Sequence, residues 1–146
     1  MIFIKDFIFC LFATVSYSIL MSIPKKAIIC ASILASIGYI IYEFIFIYGK
    51  QELMAYFIAT LFIAIIGEGL ARKLKMSSIM FIYPAVIPLV PGIGLYRTML
   101  MLVENDFDNF LRVGIQTLFI SGAIAAAIAI TNLIVRNLPN LSRKQH

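Results

Sequence analysis

The stretch that decides the reading is Pro84–Arg97, P-A-V-I-P-L-V-P-G-I-G-L-Y-R. It is apolar enough to lie in a membrane, yet it holds three prolines and two glycines and has apolar, helix-forming sequence on both sides. Hydrocarbon offers no water to satisfy backbone groups, so such an interruption is tolerated only against protein or a water-lined cavity. Interrupted apolar segments are also the best sequence pointer to a transporter binding site. Ile79–Val90, 12 residues, reaches about 18 Å at ~1.5 Å per residue, short of a hydrocarbon core of about 30 Å. Ile93–Val103 is similarly short. Joined, the two cross once, which predicts a span broken at Pro91–Gly92 near mid-membrane.

Outward from this segment the chain stays apolar. Of its 146 residues 62% are hydrophobic and only 13% are charged, and the mean hydropathy is +1.01. A soluble domain is about 45–50% apolar. The composition predicts an all-α integral membrane protein, a single polytopic domain over residues 1–146. It has about five spans, near residues 7–23, 27–48, 53–71, 79–103 and 110–135. No strand alternation competes with this layout. Phe7–Val15 reads as part of a first span and not as a signal peptide, because Asp6 spoils the positive leader and no A-x-A site follows.

The charge of +5 raises the possibility of nucleic acid, but the basic residues sit at the ends of apolar runs, where topology needs them. Lys25 and Lys26 follow the first span, Arg72, Lys73 and Lys75 follow the third, and Arg136, Arg143 and Lys144 follow the fifth. These regions share one face of a five-span protein. The opposite face holds Lys5, Lys50, Arg97, Arg112 and the acidic Glu104, Asp106 and Asp108. The positive-inside rule then places the N-terminus outside and the C-terminus in the cytoplasm. Ala31 and Ala35, Ser32 and Ser36, and Gly122 and Ala126 repeat at four-residue spacing, which lets helices approach closely. Those faces fit packing within the chain and packing against a partner equally. Cys10 and Cys30 lie alone in apolar runs, which indicates neither a disulfide nor a metal site.

The break carries the chemistry. Each proline removes one intrahelical hydrogen bond, so Pro84, Pro88 and Pro91 are expected to free the carbonyls of Met80, Pro84 and Ile87 along one helix face. Beyond the break, the amides of Gly92, Ile93 and Gly94 form a new helix N-terminus, which attracts anions. Acceptors on one side and donors on the other suit a zwitterion such as a small amino acid. The candidate substrate-binding residues are Pro88, Pro91, Gly92, Gly94, Tyr96 and Arg97. The same residues equally make a structural kink, and for Arg97 snorkelling to the outer interface is the favoured alternative. Glu68, an intramembrane carboxylate, is a candidate for ion coupling together with Arg72; their spacing also makes an ordinary helical ion pair. Glu43 reads as interfacial, and Gln116, Thr117 and Asn132 as helix-to-helix hydrogen bonds. No constellation for catalysis, metal or cofactor binding emerges.

Ile87-Pro88-Leu89-Val90-Pro91-Gly92-Ile93-Gly94-Leu95-Tyr96 resembles the signature of the threonine/serine exporter family, in its small membrane-only half. Gly67-Glu68-x-x-Ala71-Arg72, Pro24 and Gly38-Tyr39 fall where that family places similar residues. Tyr39 departs from its pattern, in which a tryptophan often follows the glycine. The resemblance implies an exporter of threonine or serine in the bacterial inner membrane, driven by proton motive force, with no cofactor. A branch linked to C4-dicarboxylates such as succinate is the alternative. It also implies a larger polytopic partner subunit. An odd span count fits that plan, because two such halves in tandem acquire opposite topologies around a shared site. The sequence leaves a homo-oligomer open, and also a non-transporting role as a membrane assembly partner.

Overall fold

The computed structural model describes residues 2–137, apart from the side chains of residues 2–4 and 136. Arg143, Lys144 and the Arg136 side chain, used above for orientation, lie outside the described residues. The described residues are helical and contain no strand. The helices are α1 (Ile2–Leu20), α2 (Lys25–Gly49), α3 (Glu52–Leu74), α4 (Ile79–Val86), α5 (Gly92–Val103) and α6 (Phe107–Asn137), with one 3-10 turn at Ile87–Leu89 between α4 and α5.

Short connections set this pattern. Ser22, Lys50, Lys75 and Asn105 adopt positive φ. At the end of α2 the Lys50 N–H bonds the Phe46 carbonyl, and at the end of α3 the Lys75 N–H bonds those of Ala71 and Arg72. A left-handed residue at a helix end satisfies carbonyls that the helix leaves orphaned and turns the chain back. Pro24 precedes the first residue of α2, where its fixed φ starts a helix at the loss of no helical hydrogen bond.

Small residues fill the interior and large ones cover the outside. Ala27, Ala31, Ala35, Ala55, Ala59 and Ala85 are fully buried, whereas Phe9, Phe12, Leu118 and Phe119 are well exposed. Lipid tails are as apolar as these side chains, so large residues gain little by turning inward, while small ones let backbones approach. Gly38 and Gly67 show the closeness reached. A Cβ on Gly38 would stand 2.5 Å from Ile63, and one on Gly67 would stand 2.7 Å from Ile82. Buried Thr14, Ser18, Ser36 and Thr131 donate to carbonyls one turn back in their own helices, the usual local solution for hydroxyls without water. Ser36 also reaches the Phe7 carbonyl of α1 at 3.2 Å.

One core joins α2, α3, α4, the 3-10 turn and α6 through Leu34, Ile63, Ile82, Leu89, Ile120 and Ile124. Among the described residues, three helices are long and apolar enough to cross a membrane: Lys25–Gly49, Glu52–Leu74 and Phe107–Val135. Ile79–Leu89 and Gly92–Val103, bent by 53° at their junction, make a fourth if counted as one span. The fifth expected span, Phe7–Ile23, rests on the sequence reading.

Candidate functional site

The junction after α4 is built by its prolines. Pro84 lies inside α4, and the helix gives way at Val86 to the tighter turn Ile87–Leu89. Pro91 follows with φ −75° and ψ 61°, the geometry of an inverse γ-turn, and the Gly92 N–H bonds the Val90 carbonyl at 2.7 Å. α5 then starts at Gly92, and its first intrahelical-type bond runs from the Leu95 N–H to the Pro91 carbonyl at 3.1 Å.

These bonds correct the expected distribution of free groups. The Ile87 carbonyl is not free, because the Val90 N–H bonds it at 3.1 Å; the 3-10 turn substitutes a closer donor for the one that Pro91 lacks. The Gly92 amide is likewise spent within the turn. Of the three expected donors, the Ile93 and Gly94 amides have no backbone partner among the described residues at the start of α5, where helix geometry leaves N–H groups orphaned. Pro91 precedes them and has no side chain that can cap.

A cavity of about 410 Å³ opens at this junction. Pro88, Val90 and Pro91 form one wall, Gly92, Ile93, Gly94 and Arg97 of α5 a second, and Tyr39 and Tyr42 of α2 a third. Glu52 and Tyr56 of α3 and Val113, Gln116, Thr117 and Ile120 of α6 complete it. Its volume falls among sites for small molecules, about 300–1,000 Å³. Tyr42 and Tyr56 meet with ring centroids 4.4 Å apart and pack on the main core, so they form a firm floor. Gln116 Nε2 donates to Glu52 Oε2 at 2.6 Å, bridging α6 and α3 at the cavity.

The predicted site residues separate accordingly. Pro88, Pro91, Gly92, Gly94 and Arg97 come together around the cavity. Tyr96 does not line it and is 67% exposed; consecutive helical residues point about 100° apart, so Arg97 and its neighbour cannot share a direction. Glu68 and Arg72 lie elsewhere, about 18 Å along α3 from Tyr56 at ~1.5 Å per residue. There the Arg72 Nε and Glu68 Oε2 atoms stand 3.9 Å apart. The Glu43 Oε2 atom is shut off from solvent and has no hydrogen-bond partner among the described residues.

The two glycines differ in what they permit. A Cβ on Gly94 would stand 2.6 Å from Thr117 Oγ1, while one on Gly92 would meet nothing within 4 Å. Gly94 therefore serves the α5–α6 contact, and Gly92 faces open space. Thr98 repeats the pattern one turn on, with its Cγ2 3.2 Å from a Cβ on Gly114 and its hydroxyl donating to the Gly94 carbonyl at 2.8 Å.

The Pro-Gly junction, and the helices that enclose it, lie within a wider match: the family model described as Threonine/Serine exporter, ThrE, covers residues 6–134. The chain belongs to the threonine/serine exporter family. This is a family of transporters and not of enzymes. An uncharacterised protein of Haemophilus influenzae is 27% identical over 137 residues, which cover 88% of this chain and 46% of that protein. The chain thus spans under half the length of that relative. No solved structure matches it. Within this exporter-family chain, sequence reasoning missed Glu52, Tyr42 and Tyr56 as cavity residues. It found Gln116 as a helix-to-helix hydrogen bond without identifying its partner.

Proposed function

We propose that the chain is the small subunit of a secondary exporter of threonine or serine in the bacterial inner membrane. The observation that carries this reading is the cavity at the Pro91–Gly92 junction, which gathers oppositely charged side chains and free amides in a membrane helix bundle. Family membership supplies the substrate class.

In this reading α4, the 3-10 turn and α5 form one broken span of a five-span domain with the N-terminus outside. The substrate occupies the cavity at the break. The Ile93 and Gly94 amides and Arg97 receive its carboxylate, and Pro88, Pro91 and Gly92 shape the contact wall. A larger subunit supplies the remainder of the path, in keeping with the chain's 46% coverage of its longer relative. Proton motive force drives export, with Glu68 and Arg72 as the coupling pair.

Efflux of labelled threonine, serine and succinate from loaded cells tests this. The chain is expressed alone, together with a larger family subunit, and as the Gly92→Leu variant with that subunit. Threonine or serine efflux by the intact pair, lost in the variant at normal membrane levels, is the expected result. A stable pair that exports none of the three overturns it. Efflux of succinate alone overturns the amino-acid assignment.

A further inference from the structure

We infer that Glu52, positioned by Gln116, is the residue that selects ligands carrying an amino group. This rests on the cavity being the substrate site, and it adds a residue and a selection rule that the sequence reading did not contain.

Glu52 is the first residue of α3 and is half-buried. Gln116 lies on α6, and its amide holds one carboxylate oxygen at 2.6 Å. An ionised carboxylate has about four acceptor positions, so this bond fixes the group and leaves most of its accepting capacity unused. Arg97 lines the same cavity from α5. No ion pair joins Glu52 to Arg97 among the described residues; the pair found there is Arg72 with Glu68. One small cavity therefore holds two opposite charges that are not joined in a direct ion pair among the described residues.

Such a cavity discriminates by charge arrangement. An α-amino acid offers an ammonium to Glu52 while its carboxylate meets Arg97 and the free amides of Ile93 and Gly94. Tyr42 and Tyr56, beside Glu52 on the cavity wall, add aromatic faces, which attract an ammonium. A dicarboxylate satisfies the Arg97 side but places its second carboxylate against Glu52. Like charges brought this close repel each other. Glu52 thus separates amino acids from dicarboxylates of similar size.

The test uses the full chain in its native membrane, with vesicle uptake of threonine, N-acetyl-threonine and succinate compared between wild type and Glu52→Gln. Glutamine keeps the size of the side chain and a hydrogen bond to Gln116, and membrane levels and thermal stability are read alongside. In the variant, threonine transport falls at least ~10-fold, the loss of one charge-assisted hydrogen bond, while N-acetyl-threonine and succinate hold level or rise. Gln116→Ala shows a smaller loss in the same direction, because the carboxylate is freed but keeps its charge. Equal losses for all three compounds would mark Glu52 as structural and overturn the inference. Undiminished threonine transport in Glu52→Gln overturns it while leaving the exporter reading intact. A wild type that carries no threonine overturns both.

Discussion

The two arms of the interrupted segment are both short and apolar, yet they live in different surroundings. α4 is enclosed: Phe81, Ile82, Pro84, Ala85 and Val86 are all buried, against α2, α3 and, more lightly, α1. α5 buries only Thr98 and packs on α6, leaving Ile93 at 73% and Val103 at 78% exposed. The prolines explain the division. They stop the enclosed helix, and the 53° bend carries the next one out to the edge of the bundle. One wall of the cavity is thus anchored in the core, while the facing wall hangs on a single helix contact. In the exporter reading proposed above, the core-anchored wall is the fixed reference and the peripheral helix the element that moves.

The largest expected effect follows from this contrast. Phe81 is fully enclosed with Ala27 and Ala71, and its replacement by alanine opens a cavity that in soluble cores costs about 3–5 kcal/mol. Ile93→Ala, on the exposed arm, stays within ~0.5 kcal/mol. Thermal unfolding in detergent should therefore show a large drop in Tm for the first and almost none for the second. Similar drops for both would abolish the distinction between the arms.

The glycines sharpen the comparison within α5. Gly94→Leu forces a side chain into Thr117 and strains the contact by about 1–3 kcal/mol, so both stability and export fall. Gly92→Leu meets open space, so stability holds while the leucine occupies the cavity and export stops. Measuring Tm and efflux on the same two preparations separates the roles. An active Gly92→Leu protein would mean that substrate does not use the cavity.

Arg97 gives a smaller effect and asks whether the peripheral arm binds substrate. Arg97→Gln removes a charge-assisted contact of about 1.5–3 kcal/mol, which raises the KM for threonine roughly 10-fold or more with little change in Tm. Arg97→Lys restores part of this, since lysine keeps the charge but not the fork. An unchanged KM would place the guanidinium at the lipid interface instead.

The interruption of the helix at Pro91–Gly92 was legible in the sequence because proline and glycine act locally, whereas the enclosure of the first arm was not. Pro91 imposes the turn on its own neighbours, and no distant residue is needed to see it. The composition of the cavity was not legible in the same way. Glu52 carries no motif of its own, and only the fold brings it against Gln116, 64 positions away. Identical spacings also met different fates. Ala31 and Ala35 are buried between helices, while Gly122 and Ala126 line an open apolar groove with Leu118 and Phe119. The spacing fixes which residues share a face, but the neighbour that covers the face is a property of the whole bundle. Gly92 and Gly94 are likewise equivalent by residue type, and Thr117 alone distinguishes them.

The smallest effect on stability concerns the far end of the enclosed side. Arg72 and Glu68 meet at 3.9 Å through one guanidinium nitrogen, with side chains 29% and 13% exposed. A single-contact i,i+4 pair is worth only about 0.3–0.5 kcal/mol, so Glu68→Gln should leave Tm nearly unchanged. Transport separates the two roles such a pair can have. If Glu68 carries the coupled proton, exchanging the carboxylic acid for an amide that cannot ionise leaves substrate exchange intact but removes acceleration by an imposed pH gradient. Counterflow of labelled threonine in vesicles, run with and without the gradient, measures both at once. Gradient-driven transport that survives in Glu68→Gln reduces the pair to a helix contact and moves coupling elsewhere in the bundle. Counterflow retained without gradient response keeps coupling on the enclosed side, about 18 Å from the cavity along α3, so a proton bound there must act on the peripheral arm through packed helices and not by touching the substrate.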